Sequence, residues 1–138
     1  MFKKIFLPGL VAGIAMTVVG IILNYLIGLV FPGVVAQYQT AMFRPWSDPL
    51  MQAYFAYPFI LGWALAWIWD LMKTLCQKPT ALKRGLCFGL SYWIIAAIPG
   101  MFVTYTSFTV SFSLVLSWTI VGLINAIVAG WVLAKMNK

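Results

Sequence analysis

Side chains that could carry out chemistry are scarce in this sequence. Its 138 residues include nine Lys or Arg, no His and two acidic residues, which are Asp48 and Asp70. Proton transfer and metal binding near neutral pH usually depend on His, Glu or clusters of acidic residues. We therefore predict a protein that is not an enzyme, with no catalytic residue, no metal site and no cofactor.

The densest group of polar side chains lies in residues 43–49. Arg44, Trp46 and Asp48 are the candidate ligand or partner site, because a guanidinium beside an indole could hold an anionic head group. The alternative is that Arg44 pairs with Asp48, and that Asp48, followed by Pro49, caps the next helix. An unpaired guanidinium among apolar groups is costly. We therefore expect the pair to form, with the segment folded over the outer mouth of the bundle.

Three further polar residues, Asn24, Asn125 and Asp70, fall inside predicted membrane spans. Lipid offers them no hydrogen-bond partner, so they are candidates for function, although bonds between helices explain them equally well. Lys73 follows Asp70 by three residues, which predicts an ion pair at the water boundary. A proton-carrying role for Asp70 is the alternative.

Two cysteines, Cys76 and Cys87, flank a basic segment. They form no CxxC motif, and no His accompanies them, so their spacing does not predict a zinc site. We expect two reduced thiols near the cytoplasmic face, with palmitoylation of Cys76 as the alternative.

The composition indicates the fold class. Apolar residues make up 64% of the chain and charged residues 8%, against about 45–50% and 25% in soluble domains. A membrane-spanning helix needs about 20 apolar residues, so we predict one all-α integral membrane domain, residues 1–138, with four spans. The predicted spans are residues 8–31, 49–72, 85–104 and 112–134, with an outer loop at 32–48 and a cytoplasmic basic loop at 73–84.

Small residues recur at helical spacing in all four spans, which predicts close helix packing. The packing residues in the first and third spans are Gly9, Gly13, Gly20, Gly28, Gly85 and Gly89, the last two lying 76 residues after the first two. The second and fourth spans carry Gly62, Ala66 and Asp70, and Gly122, Ala126 and Gly130, at the same spacing. The pattern fits packing inside the chain, self-association or a duplicated helical hairpin.

The basic residues predict the orientation. On this division of the chain, Arg44 lies on one side of the membrane and eight basic residues on the other, namely Lys3, Lys4, Lys73, Lys78, Lys83, Arg84, Lys135 and Lys138. Basic residues accumulate on the cytoplasmic side. We therefore expect an antiparallel four-helix bundle with both termini in the cytoplasm, in a cell membrane that is most simply the bacterial plasma membrane. The net charge of +7 then reflects topology and does not indicate nucleic-acid binding.

These observations lead to three hypotheses about function. The first is a non-enzymatic membrane protein that binds membrane lipid or another membrane protein, including a second copy of itself. The second is a small transporter or channel, which would require an oligomer because four helices leave little room for a pore. The third is a lipid-modifying enzyme whose substrate supplies the chemistry that the chain lacks.

Overall fold

The computed structural model describes residues 2–137 and the side chains of residues 3–137. Met1 and Lys138, the second of which is one of the basic residues used to predict orientation, lie outside the described residues. The helices are α1 (Phe2–Val30), α2 (Pro32–Ala36), α3 (Pro49–Gln52), α4 (Tyr57–Met72), α5 (Ala81–Tyr92), α6 (Ile98–Ser107) and α7 (Phe112–Met136). Short 3-10 turns cover Gln37–Gln39 and Ala53–Ala56, and a π-helical turn covers Trp93–Ala97.

Four helical stretches are long and apolar enough to cross a membrane. They are Lys3–Val30, Pro49–Met72, Ala81–Ser107 and Phe112–Met136. The all-helical fold with four candidate spans is confirmed at this level. The third stretch begins four residues before the predicted boundary at residue 85, because the Thr80 hydroxyl accepts a hydrogen bond from the backbone N–H of Lys83, at 3.2 Å, and caps the helix.

Two of the four stretches are interrupted just ahead of a proline. In the second, the 3-10 turn Ala53–Ala56 separates α3 from α4, whose second residue is Pro58. In the third, the π-helical turn separates α5 from α6, whose second residue is Pro99. A proline lacks an N–H and disturbs the turn before it, which explains why both interruptions precede a proline.

The helices pack as two pairs over their glycines. We call α1 with α4 the first hairpin and α5 with α7 the second hairpin. A Cβ on Gly9 would lie 2.9 Å from the Trp63 Cα, and one on Gly89 would lie 2.9 Å from the Ile127 Cα. Only a residue without a side chain permits backbones to approach so closely. Helix α1 also packs along α7, and this contact joins the two hairpins.

The two ends of the bundle, called the basic end and the loop end below, are each defined by contacts between helices. At the basic end, the side chain of Asn137 bonds to Lys4 and Lys73. At the loop end, Gln37 and Tyr38 bond to Ser111 and Trp118. The apolar core lies toward the basic end and is formed chiefly by Ala12, Met16, Leu65, Ala66, Trp69, Phe88, Ala129, Leu133 and Ala134.

The loop end is packed much less tightly. No residue of α6 is buried, and a side chain added at Gly100 or Gly122 would meet no heavy atom within 4 Å. The bundle is therefore closed at its basic end and open between the spans at its loop end.

The sulfur atoms of Cys76 and Cys87 are joined in a disulfide, with their Cα atoms 5.9 Å apart. This contradicts the expectation of two reduced thiols and leaves no free Cys76 for palmitoylation. The sequence alone does not predict this disulfide, because the two cysteines lie eleven residues apart. The turn after α4 and the cap at Thr80 reverse the chain and bring the second turn of α5 back beside Cys76.

Candidate functional site

The predicted loop site is built around an ion pair. The Arg44 Nη1 lies 2.9 Å from the Asp48 Oδ2, while the Asp48 Oδ1 accepts the backbone N–H of Leu50 at 2.9 Å. The Leu50 N–H, and secondarily Arg44, hold the pKa of Asp48 below its ordinary value. The expected pair and helix cap are both present.

Trp46 does not lie between the two charges. Its ring contacts those of Tyr54 and Phe55, with centroids 6.5 and 6.3 Å away, and it is 65% exposed. These three rings form an exposed aromatic patch at the loop end, which suits the interface of a bilayer. The structure thus joins Arg44 to Asp48, while the Trp46 ring packs against Tyr54 and Phe55.

The rest of the outer loop is fastened to the beginning of α7. The Trp118 Nε1 donates to the Tyr38 hydroxyl at 2.5 Å, and the Ser111 backbone N–H donates to the Gln37 side chain at 3.4 Å. Phe43 completes an aromatic cluster with Tyr38 and Trp118. Burial raises the pKa of Tyr38, so this hydroxyl remains protonated at neutral pH. The loop is therefore an ordered cap on one part of the bundle.

The two intramembrane amides differ in their surroundings. Asn24 is exposed and donates to the Gly20 carbonyl of its own helix at 2.8 Å. Asn125, on α7, lies close to Gly20, since a Cβ on Gly20 would be 3.6 Å from the Asn125 Nδ2. The Asn125 Oδ1 is buried, with no hydrogen-bond partner among the described residues. A polar position therefore remains unsatisfied between α1 and α7.

Asp70 takes part in a network at the basic end. It lies 3.2 Å from the Lys73 Nζ and accepts from the Asn137 Nδ2 at 3.0 Å. The Asn137 Oδ1 accepts from Lys73 at 2.8 Å, and its backbone carbonyl accepts from the Trp69 Nε1 at 2.7 Å. The predicted Asp70–Lys73 pair is confirmed as a contact, and it forms part of a network that joins α1, α4 and α7.

Sequence reasoning missed Asn137. The available signal was Pro8, which has no N–H to bond to the Lys4 carbonyl. The Asn137 Nδ2 lies 3.3 Å from that carbonyl and donates to it. Pro8 thus signals an open acceptor at the basic end of α1, but it does not indicate which residue fills it.

The predicted packing glycines divide into two groups. Gly9, Gly13, Gly85 and Gly89 lie at the seams inside the hairpins, where an added Cβ would strike neighbouring backbone. Gly20 and Gly28 have looser surroundings, with atoms of Asn125 and Val35 at 3.6 and 3.4 Å. The glycines of α1 thus pack tightly against α4 near the basic end and loosely toward the loop end.

An apolar groove opens at the loop end, between α6 and the first half of α7. Its volume is about 230 Å³. It is lined by Ile98, Met101, Phe102, Tyr105, Phe112, Val115, Leu116 and Thr119. The Thr119 hydroxyl donates to the Val115 carbonyl at 2.7 Å, so it is already engaged within its helix. The groove therefore presents mainly hydrocarbon to an occupant.

The basic end carries cations stacked on indoles. The Arg84 guanidinium carbon lies 5.4 Å from the centre of the Trp69 ring, and the Lys135 Nζ lies 5.0 Å from that of Trp131.

Across residues 2–137, no group of three or more Cys, Asp or Glu side chains could hold a metal ion. No family model, curated protein or solved structure matches this chain.

Proposed function

We propose that this protein is a non-catalytic, multi-pass protein of the plasma membrane that acts by binding a membrane lipid. In this proposal the four spans form an antiparallel bundle with both termini in the cytoplasm. The apolar groove between α6 and α7 supports the proposal more than any other feature. It lies at the loop end, which is the outer face in this orientation.

The size and lining of the groove favour a hydrocarbon chain. Its volume of about 230 Å³ is below the roughly 300–1,000 Å³ of pockets that enclose drug-sized ligands. An acyl chain needs no polar partner and gains about 0.8 kcal/mol for each CH₂ removed from water. Inside a bilayer that gain is largely absent, so selectivity for one lipid must come from shape and from contacts of its head group.

The exposed aromatic patch and the Arg44–Asp48 pair offer such contacts near the outer surface. Arg44 remains 61% exposed in its side chain, so its free N–H groups are available to a phosphate while Asp48 stays bonded. A second membrane protein is the other candidate occupant of the open loop end.

Photoreactive phospholipid, with its diazirine on the acyl chain, tests the proposal in nanodiscs that contain the full chain. Leu116→Trp places an indole in the groove, and we expect it to reduce labelling of the peptides that contain α6 and the start of α7 several-fold. Ile120→Trp is the matched control, since both side chains are similarly exposed on α7, at 44% and 48%, but Ile120 does not line the groove. Equal labelling in both variants would contradict the proposal.

Transport by an oligomer is a second candidate function, favoured by one observation. The unsatisfied Asn125 amide at mid-span is costly in lipid, and a polar substrate or ion would satisfy it. Solute flux in proteoliposomes that is lost in Asn125→Leu would support this function. A strictly monomeric protein in mild detergent would argue against it.

A further inference from the structure

The disulfide between Cys76 and Cys87 is the feature that the proposed function leaves unexplained. Cys76 lies in the turn after α4 and is 7% exposed, whereas Cys87 lies on α5 and is half-buried. The bond therefore joins the end of the first hairpin to the beginning of the second. Residues 73–80, which connect the same two points, contain no helix.

Few other contacts hold α5 to the end of α4. The Trp69 and Phe88 rings meet edge to face at 5.2 Å, and Arg84 lies over the same Trp69 ring. Helix α5 otherwise packs mainly on α7. The disulfide is thus a covalent clamp between the turn after α4 and α5, two segments that make few other contacts with each other, at the basic end of the bundle.

The charges around the clamp indicate the compartment that it faces. The segment closed by the disulfide carries Lys78, Lys83 and Arg84, and Lys73 lies just before it. In the proposed orientation this segment faces the cytoplasm, where glutathione and thioredoxin-type proteins keep thiols reduced and permanent disulfides are rare. Nearby cations also favour the thiolate form, which is the reactive form of cysteine.

We propose that Cys76 and Cys87 are an exchangeable dithiol–disulfide pair that reacts with cytosolic thiols of the glutathione or thioredoxin class. This inference rests on the proposed orientation and does not depend on lipid binding. A thiolate of the reductant attacks the more exposed Sγ of Cys87, the S–S bond breaks, and Cys76 leaves as a thiolate that takes a proton from water. A second thiol then displaces Cys87 from the mixed disulfide, so the reductant becomes a disulfide after transferring two electrons.

Reduction removes the covalent link between the turn after α4 and α5, and leaves the α1–α7 contact and the seams within each hairpin intact. The Trp69–Phe88 contact and the stacked Arg84 then hold the basic end of α5 without a covalent bond. The pair is therefore a modification site that changes how tightly the two hairpins are joined.

Acid trapping of cells that express the full chain, followed by maleimide–polyethylene glycol labelling, measures the redox state directly. We expect both redox forms, with the reduced fraction rising after a permeant reductant and falling after a thiol oxidant. Cys87→Ser is the control: it cannot form the internal disulfide, so it carries at most one tag, at Cys76, and never shows the two-tag form that marks the reduced pair. A chain that stays fully reduced after oxidant, or fully oxidised after permeant reductant, would overturn the proposal.

Titration with glutathione and its disulfide, in inside-out vesicles and in intact cells, tests the compartment. Exchange that occurs in vesicles but not when impermeant glutathione is added to intact cells supports the proposal. Exchange from outside intact cells would show that the clamp faces the oxidising side, and the proposal would fail. Lipid labelling in the groove is measured separately in the Cys76→Ser, Cys87→Ser double variant, so the two proposals are tested independently.

Discussion

Asn137 shows how one side chain can join three helices of this chain. Its amide bonds to the Lys4 carbonyl on α1, and to Asp70 on α4 and Lys73 just after it. The Lys4 carbonyl is available because Pro8 has no N–H. The Asn137 amide thus replaces the helical hydrogen bond that Pro8 cannot make to this carbonyl.

Asn137→Ala tests this network. We expect it to destabilise the protein by about 1–3 kcal/mol, because the Lys4 carbonyl and Asp70 each lose a partner. The Trp69 bond to the backbone of residue 137 remains. Asn24→Ala is the matched control, since that exposed amide bonds only within its own helix and its loss should change stability by less than about 0.5 kcal/mol. Equal unfolding midpoints of the two variants in mixed SDS micelles would disprove the role of Asn137.

Asp48 supplies a prediction for pH. Its pKa lies below the ordinary value of 3.8, because the Leu50 N–H binds the carboxylate and because Arg44 adds a hydrogen bond and a positive charge. A depressed pKa means that the stability contributed by the carboxylate is present above about pH 4 and is lost as the pH falls through the lowered pKa. Carboxyl-carbon NMR should therefore place Asp48 below 3.8. In Arg44→Ala the pKa should rise but stay below the ordinary value, because the Leu50 N–H still binds the carboxylate, and recovery to the full ordinary value would show the Leu50 bond to be unimportant.

The sequence predicted contacts between neighbours and missed contacts between distant residues. Arg44 with Asp48, and Asp70 with Lys73, lie four and three residues apart, where helical or turn geometry brings side chains together without knowledge of the fold. Asn137 lies 67 residues from Asp70. The Cys76–Cys87 bond depends on the direction in which the chain turns after α4, and composition and periodicity carry no information about that direction.

At the scale of elements, the two hairpins make the same contacts. Gly9 meets Gly62 and Trp63, and Gly85 meets Gly130 and Trp131. Gly85 on α5 thus corresponds to Gly9 on α1, 76 residues earlier, and Gly130 on α7 corresponds to Gly62 on α4, 68 residues earlier. The motif Gly-Trp-x-Leu-Ala occurs at both second-helix positions, residues 62–66 and 130–134. This repeat supports a duplicated hairpin in which the second copy has a connection eight residues shorter.

The spacing of small residues in the sequence identifies this correspondence for α1 and α5 but not for α4 and α7. The glycines of the first and third spans were aligned correctly, because their spacing is the same. The spacing of small residues matches Gly62 with Gly122. The helix contacts instead show that Gly62 is equivalent to Gly130, because Gly62 packs on Gly9 and Gly130 packs on Gly85. Small residues on one helix face recur every four residues, so an alignment of two helices that is shifted by eight residues preserves the same pattern. Only the contacts with a neighbouring helix show which glycine lies at the seam.

Gly89→Ala tests the seam of the second hairpin. The new Cβ would lie 2.7 Å from the Ala126 carbonyl oxygen and 2.9 Å from the Ile127 Cα, and neither backbone atom can move independently of its helix. We expect a loss of about 1–3 kcal/mol from overpacking. Gly122→Ala on α7 is the matched control, because no heavy atom lies within 4 Å of its added Cβ. Thermal unfolding in detergent separates the two, and a Gly89→Ala variant as stable as Gly122→Ala would contradict the seam.

The bundle is closed at its basic end and open at its loop end, and the packing of its helices explains this difference. Glycines at both hairpin seams let the backbones meet near the basic end. Toward the loop end, Pro58 and Pro99 disturb the second and third spans, and large side chains such as Phe102 and Phe112 are exposed. This shape was not predictable from the spans alone, because apolar composition is similar along all four.

Orientation is the property of the whole molecule on which both proposals rest. The excess of Lys and Arg on the side of residues 73–84 predicts that this side is cytoplasmic. Labelling single cysteines in the Cys76→Ser, Cys87→Ser background tests it, since Thr40 and Lys78 are both exposed. We expect a membrane-impermeant maleimide to label Thr40→Cys in intact cells, and to label Lys78→Cys only after permeabilisation. The reverse pattern would place the disulfide in the oxidising compartment, where it would be a permanent clamp, and would turn the apolar groove toward the cytoplasmic leaflet.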